Sequence, residues 1–346
     1  GGRDRVGIEG GNFSDHRSAI SDIIAKLPSG LKIDVVGHRV VHGGERFTTP
    51  VLIDSSVIEG IEEVSPLAPL HNPANLEGIR AVEQAMSGVS QVAVFDTAFF
   101  SSLPPAASDY ALPRSITEKH GIRKYGFHGT SHQYVTQTLL EILPLPEDPC
   151  RIISLHLGNG SSAAATRGGV AVDTSMGMTP LPGLVMGTRS GDIDPSIPLF
   201  LQEHEGLDPE TVDALLNRES GLLGLAGQSD MRDLYAMASS GDRQARHAID
   251  VWVWRIKHYV GAYMALLGGV DAIICTGGIG ENQADLRAEV LGGLEEFGIV
   301  VDSERNHALG PGNQRISPES SGVSVWVIPT NEELQIARLA AECVGV

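Results

Sequence analysis

Two clusters between residues 152 and 195 have the residue types that bind phosphate. An apolar run over 152–157 breaks at Gly158-Asn159-Gly160, and Ser161 and Ser162 follow. Glycine and asparagine accept positive φ, so the break predicts a tight hairpin. Bare amides and hydroxyls at such a tip can wrap a phosphate chain. Further on, Arg189 stands between Gly187 and Gly191, with Asp192 and Asp194 behind it. A guanidinium flanked by glycines meets an anion without side-chain crowding, and its planar fork matches phosphate or carboxylate. The two clusters together predict an enzyme that handles nucleotide phosphates.

Four other groups carry chemistry. Arg39 lies in the motif from Gly37 to Glu45, inside a strand predicted over 33–41 that is otherwise apolar. It reads as an anion-binding group or as a surface arginine on an edge strand. His38 and His42 share one face of that strand near Glu45, which would suit a metal pair. Structural hydrogen bonding is the simpler assignment for both. Asp96 ends a strand predicted over 89–95, where α/β sheets place catalytic groups, and it reads equally as a helix cap. His128 lies among Gly126, Gly129, Arg123 and Lys124. Thr130 or Ser131 is expected to cap a helix running through 135–143, so His128 falls just outside a helix N-terminus and reads as a phosphate contact.

Helices and strands along the chain must hold these groups. Helices are expected over 15–27, over 73–86 with Asn72 or Asn75 as cap, over 208–217 opening at Pro209, and over 231–239 capped by Asp230. The segment 101–114 reads as loop. The stretch 247–267 contains Asp250, Arg255, Lys257 and His258, so it reads as a long, largely buried helix and not a membrane span. A buried strand over 270–276 leads into Gly277-Gly278-Ile279-Gly280-Glu281-Asn282. The helix after it is expected to turn Leu286, Val290, Leu291, Leu294 and Phe297 inward. A last strand over 323–329 precedes a helix over 334–344, with Thr330 and Glu333 spaced as a capping box. No G-x-x-x-x-G-K-[ST] loop and no dinucleotide G-x-G-x-x-G with a distal acid is present, which removes P-loop kinases.

The composition agrees with a globular α/β protein of about two domains: 346 residues, 42% hydrophobic, 20% charged. A net charge of −18 argues against nucleic-acid or anionic-membrane partners. Three widely spaced cysteines, Cys150, Cys275 and Cys343, suggest free thiols in a reducing cytoplasm.

The motifs from His156 to Gly160 and from Gly187 to Pro195, with those around Arg39, Asp96, His128 and Glu281, make the chain similar to the acetate kinase family over about residues 36–338. That family belongs to the sugar kinase, heat-shock protein and actin superfamily. The resemblance implies a two-domain, duplicated ribonuclease H-like (actin-like ATPase) fold with an interdomain cleft. It divides the chain into 1–98 with 333–346 and a catalytic, nucleotide-binding part over 99–332. It implies reversible, magnesium-dependent phosphoryl transfer from ATP to acetate, with Mn2+ as an alternative ion, in a homodimer.

By the same resemblance the catalytic residues are Asp96, His128 and Arg189. The substrate residues are Arg39, Val41, Leu70, Phe127 and Pro180. The nucleotide residues are His156, Leu157, Gly158, Asn159 and Gly160, then Asp230, Met231 and Arg232, then Gly278, Ile279, Gly280, Glu281 and Asn282. Glu332 belongs to the metal site. Residues 1–18 depart from the family's opening hairpin, so part of the phosphate and metal site is expected to be missing there. Other readings are a propionate or butyrate kinase, a pyrophosphate-dependent enzyme, or a non-catalytic nucleotide-binding relative.

Overall fold

The computed structural model describes Asp22, Lys26 and residues 32–69, 71–143 and 149–346. The segment 1–18, the helix expected over 15–27 (apart from Asp22 and Lys26) and Leu70 lie outside the described residues. The chain divides into two compact units. One comprises the residues up to Ser101 with Glu332–Val346, the other Ser102–Asn331.

In the first unit the described strands β1 (Val35–Val40), β2 (Val51–Leu52) and β3 (Ser90–Phe95) form a sheet in the order β1-β3-β2. β1 runs parallel to β3, and β2 antiparallel. Val40, Ala93 and Phe95 pack on one face against Phe47, Ile61, Leu76 and Ile79, which helices Ser55–Val64 and Asn72–Ala85 help supply. Val92 and Val94 pack on the other face against Ile336, Leu339 and Ala340 of the helix Glu332–Val344. Burial on both faces is why β3 reads as a continuous apolar run and not an alternation.

The second unit is built on six strands: β4 (Arg151–Leu157), β5 (Ser161–Arg167), β6 (Val170–Thr174), β7 (Ala272–Thr276), β8 (Gln314–Arg315) and β9 (Ser324–Val327). Their order is β6-β5-β4-β7-β9-β8. β4, β5 and β6 form an antiparallel meander, and β7 and β9 then add parallel to β4. An antiparallel meander extended from its first strand by parallel strands is the ribonuclease H-like arrangement of actin-like ATPases. Ile153, Leu155 and Leu157 face the long helix Arg243–Leu267, while Ile152 and Ile274 face Val135 and Leu139 of the helix Gly129–Ile142.

Several local expectations are corrected. The loop over 101–114 contains a short helix, Pro105–Ser108. The glycine turn after β7 is itself a short helix, Gly277–Asn282, and the next helix stops at Leu291. Leu294 and Phe297 therefore lie beyond it, and Phe297 is exposed. Neither Asn72 nor Asn75 caps its helix, because both amides bind the backbone of the segment after β1. Thr130 and Ser131 lie inside their helix, with His128 at the cap position. The helix expected from residue 334 starts at Glu332, and Thr330 turns its hydroxyl to Ser131.

Candidate active site

In the first unit the acid and base of interest meet at the ends of two parallel strands. Arg39 is the penultimate residue of β1, paired in register with Val94, and Asp96 directly follows β3. Val40 is fully buried, so strand alternation turns Arg39 to the opposite, wetter side. Asp96 donates its N–H to the Val40 carbonyl at 3.0 Å, which fixes the carboxylate's base. Arg39 donates Nε to Oδ1 at 2.9 Å and Nη2 to Oδ2 at 2.6 Å. Asp96 is 1% exposed and Arg39 42%. The carboxylate holds the guanidinium's pKa above the usual arginine range, with Glu332 adding to it.

Arg39, Gly37, Glu332, Glu333, Ile336 and Ala337 line a cavity of about 430 Å³. Val41 is buried, and its N–H donates to Asn75 Oδ1 at 3.2 Å. The Asn72 amide accepts from His42 N–H and donates to the His42 carbonyl. These two asparagines, not singled out for this role from the sequence, fix the chain beyond Arg39. His38 pairs with Gln91 at 2.7 Å and burial lowers its pKa, while His42 Nδ1 accepts from Gly44 N–H. Among the described residues no group of three His, Cys, Asp or Glu is placed to hold a metal. A single carboxylate such as Glu332 suits a magnesium ion that keeps most of its ligands as water and phosphate oxygen.

In the second unit the hairpin expected at Gly158-Asn159-Gly160 joins β4 to β5, with Leu157 opposite Ser161. The hairpin does not use the positive φ expected of it: none of these three residues has one. Their small size matters instead. A Cβ on Gly160 would lie 3.3 Å from His128 Nε2 and 3.8 Å from Arg189 Nη1. A Cβ on Gly187 would fall 1.9 Å from Asn159 Oδ1, and Gly187 N–H donates to the Asn159 carbonyl at 2.9 Å. The hairpin tip, His128 and the Arg189 loop thus converge where side chains larger than hydrogen are excluded.

His128 is the one non-glycine residue with positive φ, +55°, among the described residues. Such a conformation costs energy and marks functional sites, and the sequence carries no sign of it. His128 Nδ1 lies 2.9 Å from Ser162 Oγ, and its ring stacks on His156 at 4.3 Å. Phe127, buried, precedes it, and Pro180 offers its carbonyl to Arg189 Nη1 at 3.1 Å. The other partner of Arg189 is the Met186 sulfur, so both its partners are neutral, and burial lowers its pKa. A half-buried cation served by neutral groups leaves a net positive site for an anion. Asp192 closes that loop: it accepts from Gly183 N–H at 2.8 Å and Tyr259 Oη–H at 2.7 Å and pairs with Arg255.

A cavity of about 530 Å³ is lined by Gly158 and Asn159, by Ser229, Asp230, Met231 and Arg232, and by Gly278, Ile279 and Asn282. Three segments far apart in sequence are thus brought together. Ser229, next to the expected Asp230, joins them. Asp230 caps the helix Met231–Ser239, and Arg232 together with that helix N-terminus pulls its pKa down to about 2.

Five expected nucleotide residues do not line this cavity. Leu157 belongs to the core, and Gly160 is turned to His128. His156 bonds Ser131, and Gly280 is buried. Glu281 accepts from Gly277 N–H and Thr330 N–H. Arg287, 1% exposed, donates to the carbonyls of Gly280 and Glu281 and to Asn306. The turn is therefore held from inside by a residue that sequence reading passed over.

The fold and these groups define a phosphotransferase of the actin-like ATPase class. A model of the acetokinase family matches residues 4–338, and the chain belongs to that family. The chain is 55% identical to the acetate kinase of Leifsonia xyli subsp. xyli over 313 residues, 90% of this chain and 79% of that one. The crystal structure of Porphyromonas gingivalis acetate kinase is 47% identical and superposes with a TM-score of 0.90, covering 95% of this chain and 85% of that one. A propionate kinase from Francisella tularensis subsp. tularensis is 43% identical with a TM-score of 0.88, covering 94% and 83%.

Proposed function

We propose that the protein transfers the γ-phosphoryl group of ATP reversibly to acetate, giving acetyl phosphate and ADP. The observation that carries this reading is Arg189, a half-buried guanidinium with neutral partners, at the hairpin tip beside His128. A carboxylate oxygen of acetate attacks Pγ as the bond from Pγ to the β,γ-bridging oxygen breaks, and ADP leaves with that electron pair. Acetate is already ionised at neutral pH, so no general base is needed. Positioning and charge neutralisation dominate.

Arg39 binds the acetate carboxylate and Asp96 holds Arg39 in place. Arg189 and His128 meet the transferring phosphoryl group. The cavity between Gly158, Arg232 and Asn282 takes the nucleotide. Glu332 holds a magnesium ion, or manganese, which when bound neutralises phosphate charge. The acceptor thus belongs to the first unit and the nucleotide to the second. The chemistry is tested by trapping acetyl phosphate as the hydroxamate in the presence of ATP, acetate and magnesium. Product formation that depends on all three is expected, and its absence with folded protein overturns the reading.

Propionate is the second reading, supported by the likeness to the Francisella propionate kinase. Val41, buried beside Arg39, is the acyl-end residue assigned to the first unit; Phe127 and Pro180 belong to the second, and Leu70 lies outside the described residues. Val41→Ala is expected to raise kcat/KM for propionate relative to acetate by roughly tenfold, since one methylene is worth about 1–3 kcal/mol. An unchanged ratio removes Val41 from the acyl pocket. No helix of the described residues is long and apolar enough to cross a membrane, and Cys150, Cys275 and Cys343 are free thiols. Those thiols support a reducing cytoplasm, and family membership supports a homodimer, which a solution mass checks.

A further inference from the structure

Behind His128 lies a chain of buried polar groups that the phosphoryl transfer does not use. Ser162 Oγ is 2.9 Å from His128 Nδ1 and 2.8 Å from His132 Nε2. His132 Nδ1 is in turn 2.7 Å from Ser154 Oγ. Ser154, His132 and Ser162 are all fully buried. Burial holds the His132 imidazole well below its usual pKa, with His156 adding to the effect, so it carries one N–H and not two.

Three arrangements fill all three contacts, because a hydroxyl has one proton and can accept two hydrogen bonds. In the first, Ser154 donates to His132 Nδ1, His132 Nε2–H donates to Ser162, and Ser162 donates to His128 Nδ1. His128 then carries its proton on Nε2. In the second, every bond is reversed: His128 Nδ1–H donates to Ser162, Ser162 to His132 Nε2, and His132 Nδ1–H to Ser154. The Ser154 proton then has no acceptor among the described residues, since His132 is its one partner there. A buried orphan donor disfavours that arrangement by roughly tenfold or more.

In the third, Ser162 accepts from both His132 Nε2–H and His128 Nδ1–H, and its own buried proton has no acceptor among the described residues, which disfavours it likewise. A cationic His128 bonded to Ser162 requires the second or the third arrangement, because both its nitrogens are then donors. Arg189 Nη1, a positive charge, lies near the same glycine as His128 Nε2, and His156 stacks on the His128 ring.

We propose that Ser162 and His132 are positioning residues for His128: anchored at Ser154, they hold it as the neutral imidazole with its proton on Nε2, the nitrogen nearest Gly160. That nitrogen is then a fixed donor for a phosphoryl oxygen, and a bare lone pair never faces the anion. The inference rests on the reading of His128 given under Proposed function.

Long-range ¹⁵N–¹H NMR of the intact protein at neutral pH reads ring tautomers directly. His128 signals are those missing in His128→Gln, and His132 signals those moved by Ser154→Thr. Both rings are expected as the Nε2–H form in the wild type. Ser162→Ala is expected to raise the Nδ1–H share of His128 by roughly tenfold, and Ser162→Thr, which keeps the hydroxyl, to restore the wild-type reading. An Nδ1–H or doubly protonated His128, an Nδ1–H His132, or an unchanged His128 tautomer in Ser162→Ala overturns the chain. If Ser162→Ala does not fold, the wild-type spectrum decides. Turnover of His128→Gln within threefold of wild type, with the tautomers as expected, overturns the role of His128 instead and removes the chain's catalytic meaning.

Discussion

Arg189→Ala lowers kcat by ~10²–10³ and leaves the KM for ATP within about threefold, the magnitude typical of removing one fixed charge that stabilises a transition state. The asymmetry follows from placement. The nucleotide cavity is lined by Gly158, Asp230, Arg232, Ile279 and their neighbours, and Arg189 is not among them. Arg189 sits instead beside the hairpin tip, partly stripped of water, with a carbonyl and a thioether as its partners. Charge developing on the transferring group is therefore met by a donor already desolvated and in position. Arg189→Lys keeps the charge and loses the fork, so it falls between wild type and alanine. Steady-state kinetics in both directions measure this. A kcat within threefold of wild type for Arg189→Ala takes Arg189 out of the mechanism.

Arg39→Met has two separable effects. The KM for acetate rises by ~10–10², because a charge-assisted hydrogen bond to the acceptor carboxylate, worth about 1.5–3 kcal/mol, is lost. Stability falls by roughly 2–3 kcal/mol, less than the 3–5 kcal/mol of a fully buried pair, since Arg39 is 42% exposed while Asp96 is 1% exposed. The cost comes from Asp96, whose carboxylate stays buried without its guanidinium. Adding Asp96→Asn to Arg39→Met removes that charge, so the urea midpoint recovers most of the loss while the acetate KM stays high. A single variant with an unchanged midpoint, or a double variant that regains acetate affinity, contradicts the assignment of Arg39 to the acceptor and of Asp96 to holding it.

The sequence made the hairpin, the Arg189 loop and the cap at Asp230 legible because each is a local event. A strand ending in small residues, an arginine between glycines and an aspartate before a helix declare themselves within a few positions. The acceptor pair was half legible. The strand ends placed Arg39 and Asp96, but only the β1–β3 register brings them together across the parallel sheet. What escaped is tertiary. Asn72 binds His42 across thirty positions, and its amide served the backbone there in place of a helix N-terminus. The positive φ of His128 has no signal in its residue type, since a non-glycine residue rarely adopts it. Leu294 and Phe297 continued a helical spacing that the chain abandons at Leu291, which periodicity alone cannot see.

Arg287 gives the nucleotide turn an unusual dependence. Its guanidinium is sealed in the interior and gripped by the carbonyls of Gly280 and Glu281 and by Asn306. The same turn presents Gly278, Ile279 and Asn282 to the cavity. A survey of random variants scored only for ATP affinity would therefore rank Arg287 and Asn306 with the ligand-contacting positions, although neither lines the cavity. For this turn, a map of functional sensitivity extends inward from the binding surface along the guanidinium, so sensitivity to mutation is a poor guide to contact.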